Sequence, residues 1–413
     1  MNDWMSADEA ARRLGVKSTS LYSYVSRGTL TRRKSPDGRS TFNRAEIEEL
    51  ARRGRPRRQA GSTELVIESA ITLLGEDRHS YRGRDAVGLA EDWTLEETAV
   101  WLWTGLRFDS IESLITINRL GSWDADPAAL AAAEQAQQGL PAAVLPLERL
   151  QLIVTALAAV NPVRLNLETE AVIATGTALM AGMVDALPSR RQRRGGDPGL
   201  QQSESLHARL WRKLAGSKAD ERLADALRFA MVLLADHELA ASTLAARVAA
   251  SVRADPYAVV TAGLGVTSGA LHGGASLGVE SMLAEITEPD RAAHVIGERL
   301  RRGERISGFG HAVYHDGDGR ADALLAKVRR AVRGHPRLAV ADAVLEEAAT
   351  HRLPAINVDF PLGLLTHLAG MPRGAGEAIF GIARTAGWLA HAMEEYQKPT
   401  RLRLRAAYTG PTE

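Results

Sequence analysis

From residue 64 onward apolar side chains recur every three to four positions in run after run, and few stretches alternate as strands do. That periodicity restricts most of the chain to a mainly α-helical body. It predicts helices over 95–104, 147–159, 168–185, 221–235, 257–268, 290–302, 320–332, 338–351 and 374–395, with the Arg- and Gly-rich stretch 189–199 as an exposed loop. With 413 residues, 45% of them hydrophobic, the chain can bury a large core, as one big domain or two to three smaller ones. No repeat of fixed period occurs.

The first 60 residues differ. They hold 14 Lys+Arg against 7 Asp+Glu, whereas the remainder holds 37 against 43. A basic front on a mildly acidic body fits a module that faces a polyanion, or simply a solvated Arg-rich face. Ser6 with Glu9 forms a capping-box pattern for a helix ending at Leu14 and Gly15, and a second helix runs from Ser18 to Arg27 with Gly28 as its stop. Extended pieces 30–34 and 39–42 then flank the turn-forming Ser35-Pro36-Asp37-Gly38, and Asn43 caps a third helix over 45–53. This order, EAARRLGVKSTSLYSYVSRG followed by hairpin and helix, resembles the winged helix-turn-helix domains of the MerR and excisionase type. The resemblance implies a DNA-binding domain over 1–54, whose second helix, with Ser20, Tyr22 and Arg27, enters the major groove while Arg32, Arg33, Lys34 and Arg39 meet phosphates. A small interaction domain that kept the fold without the DNA contact is the alternative. The run 55–63, basic and carrying Pro56, reads as a linker.

Cysteine is absent, which excludes disulfides, thiolate metal sites and a thiol nucleophile. The first residues, MNDWMSADEA, carry acids, and no apolar run approaches the roughly 18 residues of a membrane span, so a soluble cytoplasmic protein is expected. The 11 histidines fall in informative places. Three groups stand out: LADHELAAST around His237, GALHGGA around His272, and GFGHAVY around His311, with Asp318 and Arg320 close behind. Glycines beside His272 and His311 let a ligand approach the backbone, and N–H groups in the 308–310 loop suit phosphate or adenine. A metal is disfavoured, because these histidines lie about 35 to 40 residues apart and no HExxH pair occurs. A serine hydrolase is disfavoured for want of a GxSxG elbow. Asp359, within Asn357-Val358-Asp359-Phe360, has apolar neighbours that would raise its pKa and make it a proton acceptor, although a cap or turn Asp would look the same. Arg384 and the cluster Arg401, Arg403 and Arg405 supply forks that match carboxylates, which predicts a di- or tricarboxylate ligand if they converge.

Taken in order, DHEL-x2-ST, LHGGA, GFGHAVY with its following D-x-R, NVDF, R-x2-GW-x-AH and a C-terminal RxRAxY resemble citrate synthase across 64–413, with SYRGRDAVGLAE near the front. The resemblance implies a Si-type citrate synthase of the tricarboxylic acid cycle, with acetyl-CoA as substrate, or propionyl-CoA in a 2-methylcitrate synthase, and no cofactor or metal. It makes Asp359 the base, His272 the donor that stabilises the enol and His311 the group that polarises oxaloacetate. His237, His311, Arg320, Arg384 and Arg403 would hold oxaloacetate, with Arg403 coming from the partner of a homodimer. Thr243 would support His272, and Gly308, Phe309 and Gly310 would meet CoA. A large domain over 64–273 and 373–413 would close on a small domain over 274–372. The chain departs from the family's common pattern at Ala240, Ser276-Leu277, Gly319, Pro361-Leu362 and Leu404, positions that affect the choice of acyl group rather than the catalytic groups. A regulator that binds DNA and senses metabolites through a synthase-like body is the rival from another class.

Overall fold

The computed structural model describes residues 4–14, 21–22, 24–25, 29–35, 40–47, 67–106, 123–189, 204–215, 220–315, 317–403, 406 and 408–410. Two compact units result, 1–68 and 69–413. In the first, Ser6 and Glu9 exchange hydrogen bonds at the start of helix Ala7–Leu14, as the capping box requires. Strand Arg32–Lys34 pairs antiparallel with Ser40–Asn43, giving the expected hairpin. A strand absent from the sequence reading, Trp4–Ser6, adds to the other edge of Ser40–Asn43. Three residues leave too little alternation to reveal it. Met5, Ala10, Leu21, Leu30, Phe42 and Ile47 bury a small core, and Asn43 Oδ1 accepts from Ala45 N at the next helix start.

The second unit is built around helix Ala375–Gln397, buried over nearly its whole length. A helix buried on every face lies at the centre of a bundle. Helix Pro256–Thr267 crosses it where Gly263 meets Trp388: a Cβ there would lie 2.5 Å from the indole. Short strands Thr72–Leu74, His79–Tyr81 and Arg84–Asp85 form a small sheet that the mainly helical reading of this body did not place. Its second turn has positive φ at both Arg82 and Gly83, the geometry that matches strand twist in two-residue hairpins. Tyr81 points inward, and its hydroxyl donates to the carbonyls ending helix Glu221–Leu234.

Candidate active site

A cavity of about 480 Å³ has His237, His272, His311, Arg320, Asp359 and Arg384 in its wall, so residues spread over 150 positions of sequence converge on one place. The segment after helix Pro256–Thr267 delivers His272. There Gly273 N donates to Thr267 O, and a Cβ on Gly273 would sit 2.3 Å from that same oxygen, so the turn accepts only glycine. Nε2 of His272 lies 2.7 Å from Ser242 Oγ, which also accepts the indole N–H of Trp388 at 3.3 Å. Oγ has one proton and two lone pairs, so Ser242 can accept from Trp388 and still donate to Nε2, the tautomer that leaves the imidazole proton on Nδ1. Burial first, and Arg384 second, push His272 down to about 4, which keeps it a neutral donor.

Thr243, expected to support His272, does not. Successive residues of helix Ala241–Ser251 point about 100° apart. Ser242 faces His272, whereas Thr243 is buried with no hydrogen-bond partner for Oγ1 among the described residues.

His311 follows a loop clamped to the segment before Asp359. Gly310 N donates to Ala355 O, Asn357 N donates to Gly308 O, and Asn357 Nδ2 donates to Gly310 O. Gly308 has φ +87° and packs against Phe360 so closely that a Cβ would approach within 2.9 Å of its Cβ. The backbone N–H groups of Val313 and Tyr314 donate to His311 Nδ1, so the neutral ring carries its proton on Nε2. Burial, then Arg320, lowers this histidine to about 4. Asp359 opens helix Asp359–Leu368 with no hydrogen bond to its carboxyl group among the described residues. Burial raises it to about 7; Arg320 and Arg384 oppose that rise and Asp318 adds to it.

Two arginines supply the positive field. Arg320 binds Asp318 through Nε and Nη2, and Asp318 also accepts from Val358 N beside Asp359. Arg384 is 1% exposed; Nε donates to Leu234 O, and its terminal nitrogens meet no carboxylate among the described residues. His237 Nε2 lies 3.0 Å from Tyr314 Oη, and the Tyr314 ring stacks on His311. Burial, then Arg320, holds His237 well below its ordinary value. Ser242 and Tyr314 were missed as site residues, although both lie inside motifs quoted for their neighbours. His79, also missed, is 1% exposed, packs against His237 at 5.6 Å and has no partner for either ring nitrogen among the described residues.

Gly308, Phe309 and Gly310 line the same cavity. Arg403 is exposed and takes no part in it, and Arg405 lies outside the described residues. No group of His, Asp or Glu among the described residues could hold a metal ion. In the first unit Arg32, Arg33 and Lys34 are exposed along their strand, with Arg33 over Trp4 at 4.3 Å and Arg32 over Tyr22 at 5.2 Å. Ser20, Arg27 and Arg39 lie outside the described residues.

Residues 62–405 match the family model for the citrate synthase C-terminal domain, and 4–55 match a helix-turn-helix domain. The chain belongs to the citrate synthase family. It is 33% identical to the citrate synthase of Haloferax volcanii over 84% of this chain and 94% of that one. With 2-methylcitrate synthase 1 of Corynebacterium glutamicum it shares 30% identity over 81% of this chain and 90% of the other. The crystal structure of citrate synthase from Thermotoga maritima MSB8 superposes with a TM-score of 0.69 at 27% identity, covering 86% of this chain and 96% of that one.

Proposed function

We propose that the chain condenses acetyl-CoA with oxaloacetate and water to give citrate and CoA, with Si-type facial selectivity. One observation carries the reading: an unpartnered carboxyl poised near pH 7 shares a cavity with two histidines that burial keeps neutral. Asp359 removes a methyl proton from the thioester while Nδ1–H of His272 donates to its oxygen, so the negative charge never develops fully. The enol carbon then forms its bond to the keto carbon of oxaloacetate, whose oxygen takes a proton from Nε2 of His311. Water afterwards cleaves the thioester and releases CoA.

The unpaired forks of Arg384, with Arg320 and His237, suit the two carboxylates of oxaloacetate. Arg403, exposed in one chain, would complete the partner's site in a homodimer. Exposed Leu152, Val160 and Val248, on helices that both pack against Pro256–Thr267, offer apolar surface for such a partner. Leu271, 92% exposed at the cavity wall beside His272, is apolar area that closure of 274–372 over acyl-CoA and its glycine loop 308–310 would cover. No described helix is long and apolar enough to cross a membrane, and we read the enzyme as cytoplasmic, serving the tricarboxylic acid cycle.

Similarity to a 2-methylcitrate synthase favours propionyl-CoA as a second reading. A CoA-release assay with oxaloacetate and each acyl-CoA decides between them by the ratio of kcat/KM; no release with either sinks the condensation. The exposed Arg32, Arg33 and Lys34 support DNA binding by the N-terminal unit. Full-length protein should bind duplex DNA with an affinity that falls steeply as salt rises, and absence of binding at low salt would leave the unit an interaction module.

A further inference from the structure

Helix Gly274–Glu285 begins two residues after His272 and packs against helices Asp359–Leu368 and Ala375–Gln397, which carry Asp359 and Arg384. Val279 fills the space where a Cβ on Gly308 or on Gly363 would stand, 2.7 Å away in both cases, and Ser276 does the same for Gly376 at 3.0 Å. At the centre of this contact lies Glu280, 7% exposed. Its Oε2 accepts from Gly374 N at 2.7 Å, and its Oε1 accepts from Gly376 N at 2.9 Å. Both amides belong to the N-terminus of helix Ala375–Gln397, where unpaired N–H groups and the helix dipole favour an anion. Oε1 also lies 2.9 Å from the hydroxyl of Thr366, whose single proton is shared with Gly363 O at 3.0 Å. Thr366 sits on helix Asp359–Leu368, two turns after the catalytic carboxyl.

We infer that Glu280 is a positioning residue that fixes the spacing between His272 and Asp359 by tying the helix that follows His272 and the helix that opens on Asp359 to the start of the helix bearing Arg384. The inference rests on the condensation reading. Two of the three helices fall in the proposed small domain and the third in the large one, so the carboxylate spans the line on which closure would turn. Oxaloacetate binding depends on it less, because Arg384 lies two turns further along and is held separately by Leu234 O.

The test compares the wild-type protein with Glu280→Gln and Thr366→Val, the second of which cuts only the branch to the Asp359 helix. Both variants should lose kcat about ten- to a hundred-fold, as small misplacements of reacting groups do. Their oxaloacetate Kd, from calorimetric titration, should stay within about two-fold, since those ligands lie outside the tie. Amide hydrogen exchange should quicken in 359–368 in both variants and in 374–378 in Glu280→Gln alone, and stay unchanged in 146–160. Normal kcat in either folded variant, or exchange at the wild-type rate, overturns the role of Glu280. If Glu280→Gln fails to fold, Thr366→Val decides. A wild-type protein with no CoA release sinks the condensation instead, and the exchange measurement still judges the tie.

Discussion

Arg247 and Arg384 are both buried guanidiniums on the central helix or packed against it, yet their surroundings are opposite. Arg247, wholly buried, donates through Nε and Nη2 to Glu395, and through Nη1 to Glu394 at 2.7 Å and to Nδ1 of His391 at 2.6 Å. His391 passes the chain on from Nε2 to Asp236, which also accepts from Thr72. Among the described residues Arg384 donates from Nε to a backbone carbonyl alone, and its cation lies over the ring of Phe380 at 4.5 Å. Burial pulls Arg384 down to about 10 despite nearby Asp236. A buried cation with each of its nitrogens bound to the protein belongs to the architecture. One that keeps donors unspent at a cavity wall is waiting for an anion, because the protein leaves its desolvation uncompensated until the ligand arrives.

The same contrast separates the carboxylates, and there the largest effect is expected. Asp359 accepts no hydrogen bond among the described residues, so it should act on a ligand rather than on the fold. Asp359→Asn should lower kcat by about a thousand-fold while the protein still folds, as loss of a general base does. Turnover within ten-fold of wild type would break the assignment. Next come the two arginines. Arg384→Met should raise KM for oxaloacetate by about ten- to a hundred-fold, the loss of one or two charge-assisted hydrogen bonds, without lowering the melting temperature. Arg247→Met should do the reverse. It leaves Glu395 buried without its main partner, at a cost of about 3 to 5 kcal/mol, while KM barely moves. If both variants changed KM alike, the distinction between spent and unspent donors would fail.

The sequence reading located the long helices well because their apolar stripes are continuous: 95–104 was read with the same ends that the structure gives it. Gly274–Glu285 and Asp359–Leu368 are among the site helices that were not anticipated. The first opens on glycine and serine, which read as loop, and the second has Pro361 in its first turn, where proline costs no helical hydrogen bond but masks the pattern. The histidines, Asp359 and the arginines were legible because charged and imidazole groups beside glycine are unusual in a helical chain. Which of two adjacent hydroxyls serves His272 was not, since a motif names neighbours while the helical phase, fixed by packing against Trp388, selects Ser242 over Thr243. The tie through Glu280 was invisible for a related reason. Its partners are backbone amides of Gly374 and Gly376, and backbone donors carry no signature in sequence.

The smallest effect is the one that separates spent from unspent carboxylates most cleanly, because it reads stability alone. Burial raises Asp359 to about 7, above its ordinary value near 4. A folded-state pKa above the unfolded one gives stability that is fully present below the unfolded value and is lost as pH rises through the folded value. Asp359→Asn should therefore melt a few degrees above wild type at pH 8, with the gap closing as the pH falls toward 4. Asp236 has the opposite sign. Burial would raise it, but His391 and Thr72 more than offset that and hold it below its ordinary value. Its contribution is present above the unfolded pKa and is lost as pH falls. Asp236→Asn should melt below wild type at pH 8, and that deficit should shrink on acidification. Thermal melts of the Asp359 variant at pH 5 and pH 8, and of the Asp236 variant at pH 3 and pH 5, give the two slopes, and slopes of the same sign would mean that Asp359 is held by the fold after all.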